Sequence, residues 1–221
     1  MSANADAIDL QPRSLASIVL ELEEDIVLGV LHPRERLVED ELMLRFGVRR
    51  HIVRAALAQL AHMGLVEHRK NIGALVRSYE RDEVIDLYGV RELLEGQAAA
   101  LMPCPPDAAA LRRMEALQRV HDQAVKAHDA RAIFRANMAF HAALFSLCPN
   151  KVLVDAIDYY ARQTHAIRFG SAGSSHTQAR SRAEHHAILR ALKAGQRDDL
   201  VRLCKDHIMP SRDEYLSAIS G

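Results

Sequence analysis

Residues 38–64 read VEDELMLRFGVRRHIVRAALAQLAHMG, and the parsing of that stretch decides the fold of the N-terminal third. Glu39 to Phe46 carries Leu42, Met43 and Phe46 at helical spacing, and Arg50 to Met63 repeats apolar residues at Val53, Leu57, Leu60 and Ala61. Phe46-Gly47-Val48 supplies a tight turn between them. Each helix thus has one stripe for a small core. Opposite the second stripe stand Arg50, His51 and Arg54, with Arg49 just ahead of the helix. A helix-turn-helix needs this layout, because the first helix braces a second whose N-terminal basic residues enter the major groove. Arginine suits the task, since its planar fork reads guanine or clamps phosphate bidentately. Taken alone, the same residues also fit a solvated basic face on an ordinary helical hairpin.

The next segment weighs against that plainer reading. Leu65-Val66 and Ala74-Leu75-Val76 are short apolar runs flanking a polar tip with Asn71 and Gly73, a β-hairpin in outline. Arg69, Lys70 and Gly73 lie at the tip, where the wing of a winged helix-turn-helix reaches DNA. Between Arg45 and Arg77 there are seven Lys/Arg and one acid, Glu67, in a chain whose net charge is zero. That local excess is the electrostatic footprint of a nucleic-acid face.

Residues 14–77 resemble the winged-helix reader of GntR-type bacterial transcription regulators. The resemblance rests on Ile26-Val27-Leu28-Gly29, Pro33, Leu37 and Glu39, then Gly47-Val48-Arg49-Arg50 with Val53-Arg54-Ala55-Ala56-Leu57, then Gly64-Leu65-Val66 and Gly73. The family's recognition helix commonly opens Ser-Arg-Thr-Pro-Val-Arg-Glu-Ala-Leu. Here Arg49, His51, Ile52 and Ala55 replace the Ser, Thr, Pro and Glu. The two family arginines stand as Arg50 and Arg54, so the resemblance implies DNA contact there. The replacements bear on the operator sequence and leave the docking mode alone.

At 221 residues, 49% of them apolar, the chain is long enough for this reader and a second domain. Cys104, Cys148 and Cys204 form no C-x-x-C pair and read as free thiols of a reducing cytoplasm. No apolar run approaches the roughly 20 residues of a membrane span, and the start lacks a signal pattern. A cytoplasmic location and no membrane partner are expected.

In chain order, residues 1–13 read as a loose arm, and Ser14 caps a helix that ends at Gly29. The reader closes near Arg77, and residues 78–81 form a linker. From 82 to 221 strand signals are scarce. Asp82 is expected to cap one helix, stopped by Pro103-Cys104-Pro105-Pro106, and Asp107 the next, to about His128. Asp129 opens a third to Leu147, a fourth runs from Lys151 to Phe169, and 170–175 form a loop. A fifth spans Thr177 to Ala194 with Gly195 as C-cap, and the last runs from Arg197 to near Ile219. The expected fold is mainly α, a winged helix-turn-helix followed by an all-α antiparallel bundle. This second half resembles the FCD effector domain of the FadR subfamily of GntR regulators. The carrying residues are Arg91-Glu92-Leu93-Leu94-Glu95, Asn137-Met138-Ala139-Phe140-His141, Glu184-His185-His186-Ala187-Ile188-Leu189 and His207-Ile208.

Among 12 histidines, His121, His128 and His186 fall on mixed or polar faces and are expected at the surface. His141, His185 and His207 each share an apolar face on a separate helix, and Asn137 lies one turn before His141. Any one alone fits a satisfied core histidine. Together they suit a divalent ion held between facing helices, Zn first, then Ni, Co or Mn. The FCD resemblance implies that Asn137, His141, His185 and His207 are the ligands. Arg91, on an apolar stripe between Leu87 and Leu94, needs an anion. Glu95 at i+4 would serve as a structural salt bridge, and the resemblance implies a small carboxylate effector instead.

The expected function is a homodimeric, ligand-responsive transcription factor, a repressor in the common pattern, binding a palindromic operator. A regulator that senses the metal itself is the alternative. A metal-dependent hydrolase is a weaker one, because no acid stands in these motifs as general base and no H-E-x-x-H occurs. The chain is therefore expected not to be an enzyme.

Overall fold

A computed structural model describes residues 13–168 and 175–219. The first unit holds α1 (Leu15–Val27), β1 (Arg36–Leu37), α2 (Glu39–Phe46), α3 (Arg50–His62), β2 (Val66–Arg69) and β3 (Gly73–Val76). Ser14 caps α1 as expected, accepting from the Ser17 amide at 3.1 Å. Gly47, at φ 64°, ends α2 in the left-handed region and donates its N–H to the Met43 carbonyl. A side chain there would be strained, so glycine sets the turn of the helix-turn-helix. The antiparallel hairpin pairs Val66 with Val76 and Arg69 with Gly73. The two-residue β1 went unread in sequence. It pairs with β3 to give sheet order β1-β3-β2, and two residues are too few for any alternation to appear.

The helices α4 (Arg81–Leu101), α5 (Ala108–Ala127), α6 (Ala130–Phe145), α7 (Lys151–Gln163), α8 (Ser175–Ala194) and α9 (Arg197–Ile219) form the bundle. Asp107 and Asp129 cap α5 and α6 through 2.8 and 3.0 Å bonds to the Ala110 and Ala132 amides. Two boundaries differ from expectation. Helix α4 starts before Asp82, because Glu80 and Glu83 form a reciprocal capping box that starts the helix at Arg81. Helix α7 stops at Gln163, short of Phe169, which lies outside the described residues, as do 170–174 of the expected loop. Thr164 ends it by turning its hydroxyl back onto the Ala161 carbonyl at 2.7 Å. Of the expected arm, only Arg13 is described, and it pairs with Glu21 at 2.5 Å.

The expected linker is a fixed joint. Tyr79 is buried, its N–H donates to Tyr215 Oη and its carbonyl accepts from the same hydroxyl, both at 3.0 Å. The Tyr79 hydroxyl in turn donates to the Gly64 carbonyl at 3.0 Å. One apolar core runs through this joint, from Ile18, Leu22 and Leu57 of the reader to Tyr88, Ile167 and Tyr215. A second core, around Phe140, Leu144, Leu192 and Leu200, holds the bundle. No helix among the described residues is long and apolar enough to cross a membrane.

Candidate DNA interface and effector cavity

Arg49, Arg50, His51 and Arg54 are all exposed at the start of α3, and Arg69, Lys70 and Gly73 are exposed at the β2–β3 tip. The face is less bare than the charge tally implied. Helix α2 turns two acids toward it: Arg50 pairs with Asp40 at 2.5 Å and Glu39 at 3.2 Å, and Arg54 with Glu39 at 2.9 Å. Hydrogen bonds from Arg54 and Arg50 outweigh the small desolvation of Glu39 and hold its carboxyl below the usual range.

In the bundle, α6, α8 and α9 bring His141, His185 and His207 together, with ligand atoms all within 4.8 Å of one another. His141 Nε2 lies 3.3 Å from His185 Nε2 and 3.1 Å from His207 Nε2. Their outer nitrogens are already engaged. His207 Nδ1 lies 2.6 Å from Glu184 Oε2 and His185 Nδ1 lies 3.1 Å from Gln118 Oε1. Gln118 Nε2 donates to Asp122 at 2.9 Å, which orients the amide with its oxygen toward His185. Both Nδ1 atoms are placed to donate outward, and a neutral ring held in that way turns its Nε2 lone pair toward His141. Desolvation holds His141 and His185 well below the ordinary histidine range, and the one N–H that a neutral His141 can place on Nε2 does not serve both contacts. A divalent cation at the meeting point would, and the carboxylate or amide behind each ring is the usual support of a metal-ligating histidine. The donor set fits such an ion. Asn137 is buried one turn before His141 and lines the adjoining cavity.

Burial works to raise the Asp122 carboxyl, but hydrogen bonds from Arg182, Gln118 and His186 leave it below the usual range. The expected surface position of His121 is wrong. It is 0% exposed, because α5 buries Met114, Gln118, His121 and Ala124 while Val120 faces outward at 53%. The buried face carries two polar residues, so apolar spacing misphases the helix. His186 is half-buried against Asp122 at 3.1 Å, and His128 is exposed at the left-handed cap of α5.

The cavity beside the triad measures about 290 Å³, and His141, His207 and Asn137 line one wall. Arg91, Arg168 and Arg180 also line it, of which sequence reasoning found only Arg91. The Glu95 pair expected for Arg91 is present, at 2.6 Å, and Arg91 Nη1 also donates to Thr164 Oγ1 at 2.9 Å. Both readings of Arg91 therefore remain compatible with its position. Arg180 bonds Glu214 at 3.0 Å, while its buried Nε lacks a hydrogen-bond partner and stands 3.7 Å from Glu184. Desolvation lowers Arg168 from its usual range, and an anion in the cavity would offset that cost.

The turn that follows α7 forms another part of the cavity wall. Thr164, His165 and Arg168 line the cavity, whereas Ala166 and Ile167 between them are buried in the reader core. His165 Nδ1 reaches Glu23 Oε1 of α1 at 2.6 Å, across the boundary between the two units. Beside it, Glu24 bonds Arg131 at 2.7 Å and also Arg135, and Asp25 bridges Arg45 of α2 and Arg131 of α6, both at 2.5 Å. These three consecutive acids are buried on a helix of the reader.

Two family models match. That of the FCD domain covers residues 86–209, more than half of the chain, and that of bacterial regulatory proteins of the gntR family covers residues 15–76. The chain is a GntR-family transcription regulator with an FCD domain. The HTH-type transcriptional regulator LutR of Bacillus subtilis is 30% identical over 76% of this chain and 85% of its own. The HTH-type transcriptional repressor RspR of Escherichia coli is 24% identical over 85% of this chain and 82% of its own. The fold matches that of E. coli McbR/YncC with a TM-score of 0.77 at 21% identity, over 95% of this chain and 100% of that one. GntR proteins are DNA-binding regulators rather than enzymes, which removes the hydrolase alternative.

Proposed function

We propose that this GntR-family regulator binds a palindromic operator as a homodimer, and that a small carboxylate, taken up beside a divalent ion in the FCD bundle, changes that binding. Residues 14–77 form the reader, 78–81 the joint and 82–221 the effector domain. Arg50 and Arg54 contact the major groove, with Arg49 and His51 beside them. Arg69, Lys70 and Gly73 meet the backbone from the wing. Asn137, His141, His185 and His207 hold the ion, with zinc first among Zn, Ni, Co and Mn. Bound there, the ion supplies a positive charge for an anionic ligand. Arg91, Arg168 and Arg180 receive the rest of the acid. The exposed apolar side chains of α4, Leu93 above all at 71%, support pairing of two copies. The likeness to a named repressor supports repression as the sign of control. The protein acts in the cytoplasm, where its operator is.

The observation that carries this reading is the shared wall at Thr164–Arg168. A ligand that draws Thr164 and Arg168 inward must move Ala166, Ile167 and the His165–Glu23 contact, and with them α1 of the reader. Affinity for DNA then follows occupancy of the cavity. The test has two steps. Wild-type protein expressed with metal and dialysed against a mild chelator should retain a stoichiometric ion, and His207→Ala should lose it. A thermal-shift screen of mono-, di- and sugar acids on the loaded protein should then find stabilising ligands whose effect Arg91→Ala abolishes. Wild-type protein without a stoichiometric ion would reduce the triad to three core histidines.

A further inference from the structure

A second, smaller chamber of about 30 Å³ lies beside the main cavity. Its walls include His121 of α5, Phe134 and Asn137 of α6, and Gln178 and Ser181 of α8. Asn137, Arg168, Thr177 and Ser181 line both spaces, so the two share a wall of polar side chains. His121 is 0% exposed, and neither of its ring nitrogens has a hydrogen-bond partner among the described residues. Its ring stands 4.8 Å from that of His185, tilted by 47°. A neutral imidazole offers one N–H donor and one bare acceptor. A buried polar atom left unmet is costly, and native proteins rarely tolerate two on one side chain.

We propose that this chamber is a second subsite of the effector cavity, in which His121 holds a second oxygen group of the effector, a hydroxyl or a further carboxylate. The effector is then a bifunctional acid rather than a simple fatty acid. This inference rests on the reading of the main cavity as a carboxylate site. Size and polarity both lead there. A water needs roughly 10–15 Å³ by the same measure, so the chamber takes about two oxygen-sized groups and has no room for a ring or a branched chain. An alkyl tail placed there would leave both His121 nitrogens unmet, whereas an oxygen group accepts from one of them and, as a hydroxyl, donates to the other. Ser181 can complete its hydrogen bonds.

The test uses calorimetric titration of the full-length, metal-loaded protein with butyrate, 3-hydroxybutyrate and succinate, which share a four-carbon chain and differ in the second oxygen group. Wild type should bind the better of the two oxygenated acids about 10-fold or more tighter than butyrate, the worth of one well-made buried hydrogen bond. His121→Phe keeps a ring of similar shape and removes both nitrogens. It should retain its metal and its affinity for butyrate, and the preference should fall to about 1. Should His121→Phe fail to fold, Ser181→Ala is the second variant, and it should reduce the preference several-fold. Equal binding of all three acids by wild type, as expected of a chamber that holds only water, overturns the subsite and leaves the main cavity standing. So does a preference that survives both substitutions. If none of the acids binds, the carboxylate reading fails and the subsite with it.

Discussion

The two faces of the reader use one kind of contact, arginine on carboxylate, in opposite surroundings. On the outer face, Arg50 and Arg54 are 47% and 64% exposed, and their partners Asp40 and Glu39 are 72% and 29% exposed. On the inner face, the carboxylates Glu24 and Asp25 are 0% exposed, while the arginines that clamp them, Arg131, Arg135 and Arg45, keep 38%, 57% and 36% of their side chains in solvent. Exposed pairs contribute little and exchange readily for another anion, such as a phosphate. A buried carboxylate carries a desolvation cost that its arginines offset, and removing them leaves the charge without a partner. Burial thus separates a surface that can trade partners on DNA from one that holds reader and bundle in a fixed relation.

The sharpest way to break that comparison is to strip the buried side. Arg131→Ala with Arg135→Ala leaves Glu24 buried without its two partners and Asp25 with Arg45 alone, and should cost about 2–3 kcal/mol in chemical denaturation, below the value for a fully buried pair because both arginines reach solvent. A loss below about 1 kcal/mol would put the inner pairs in the same class as the outer ones. On the outer face, Arg50→Ala should leave stability nearly unchanged and lower discrimination between operator and random DNA by about 1–3 kcal/mol. Mobility shifts at several salt concentrations measure it, and unchanged operator affinity would contradict the docking. Glu39→Gln is smaller still. It loosens Arg50 and Arg54 at about 0.2–1 kcal/mol of stability and should tighten DNA binding, more so at low salt.

The smallest effect concerns pH and belongs to the inner face alone. Desolvation pushes His165 below its ordinary 6.5, against the opposing pull of Glu23. The folded state therefore favours the neutral ring. That contribution is present above about pH 6.5 and is lost as pH falls and the unfolded chain takes up the proton first. Wild-type melting temperature should decline from pH 7.5 to 5.5 more steeply than that of His165→Gln. Parallel profiles would remove His165 from the account.

Much of this was legible in sequence because local rules and tertiary structure agree. Ser14, Asp107 and Asp129 cap the helices expected of them, Gly47 takes the positive φ its turn needs, and His141, His185 and His207 converge from separate helices. What was missed lies where polar residues turn inward. His121 and Gln118 occupy the buried face of α5, and Glu23, Glu24 and Asp25 are buried where α1 is covered all round from Leu22 to Val27, in defiance of apolar spacing. The α7 end was overrun because Thr164 to Arg168 have no strong breaker. The helix gives way there to a turn whose side chains face the cavity and the reader core. Partners distant in the chain, such as His165 for Glu23, leave no local mark.

The central claim is that occupancy of the bundle reaches the DNA face through that turn. The most direct test is fluorescence anisotropy of a labelled operator fragment titrated with metal-loaded protein, with and without a stabilising acid from the thermal-shift screen. Wild type should change its Kd by about 5-fold or more in the presence of the acid. Glu23→Gln with His165→Phe should still bind both acid and operator while that change shrinks toward none. An acid that binds the bundle tightly yet leaves wild-type operator affinity where it was would contradict the account.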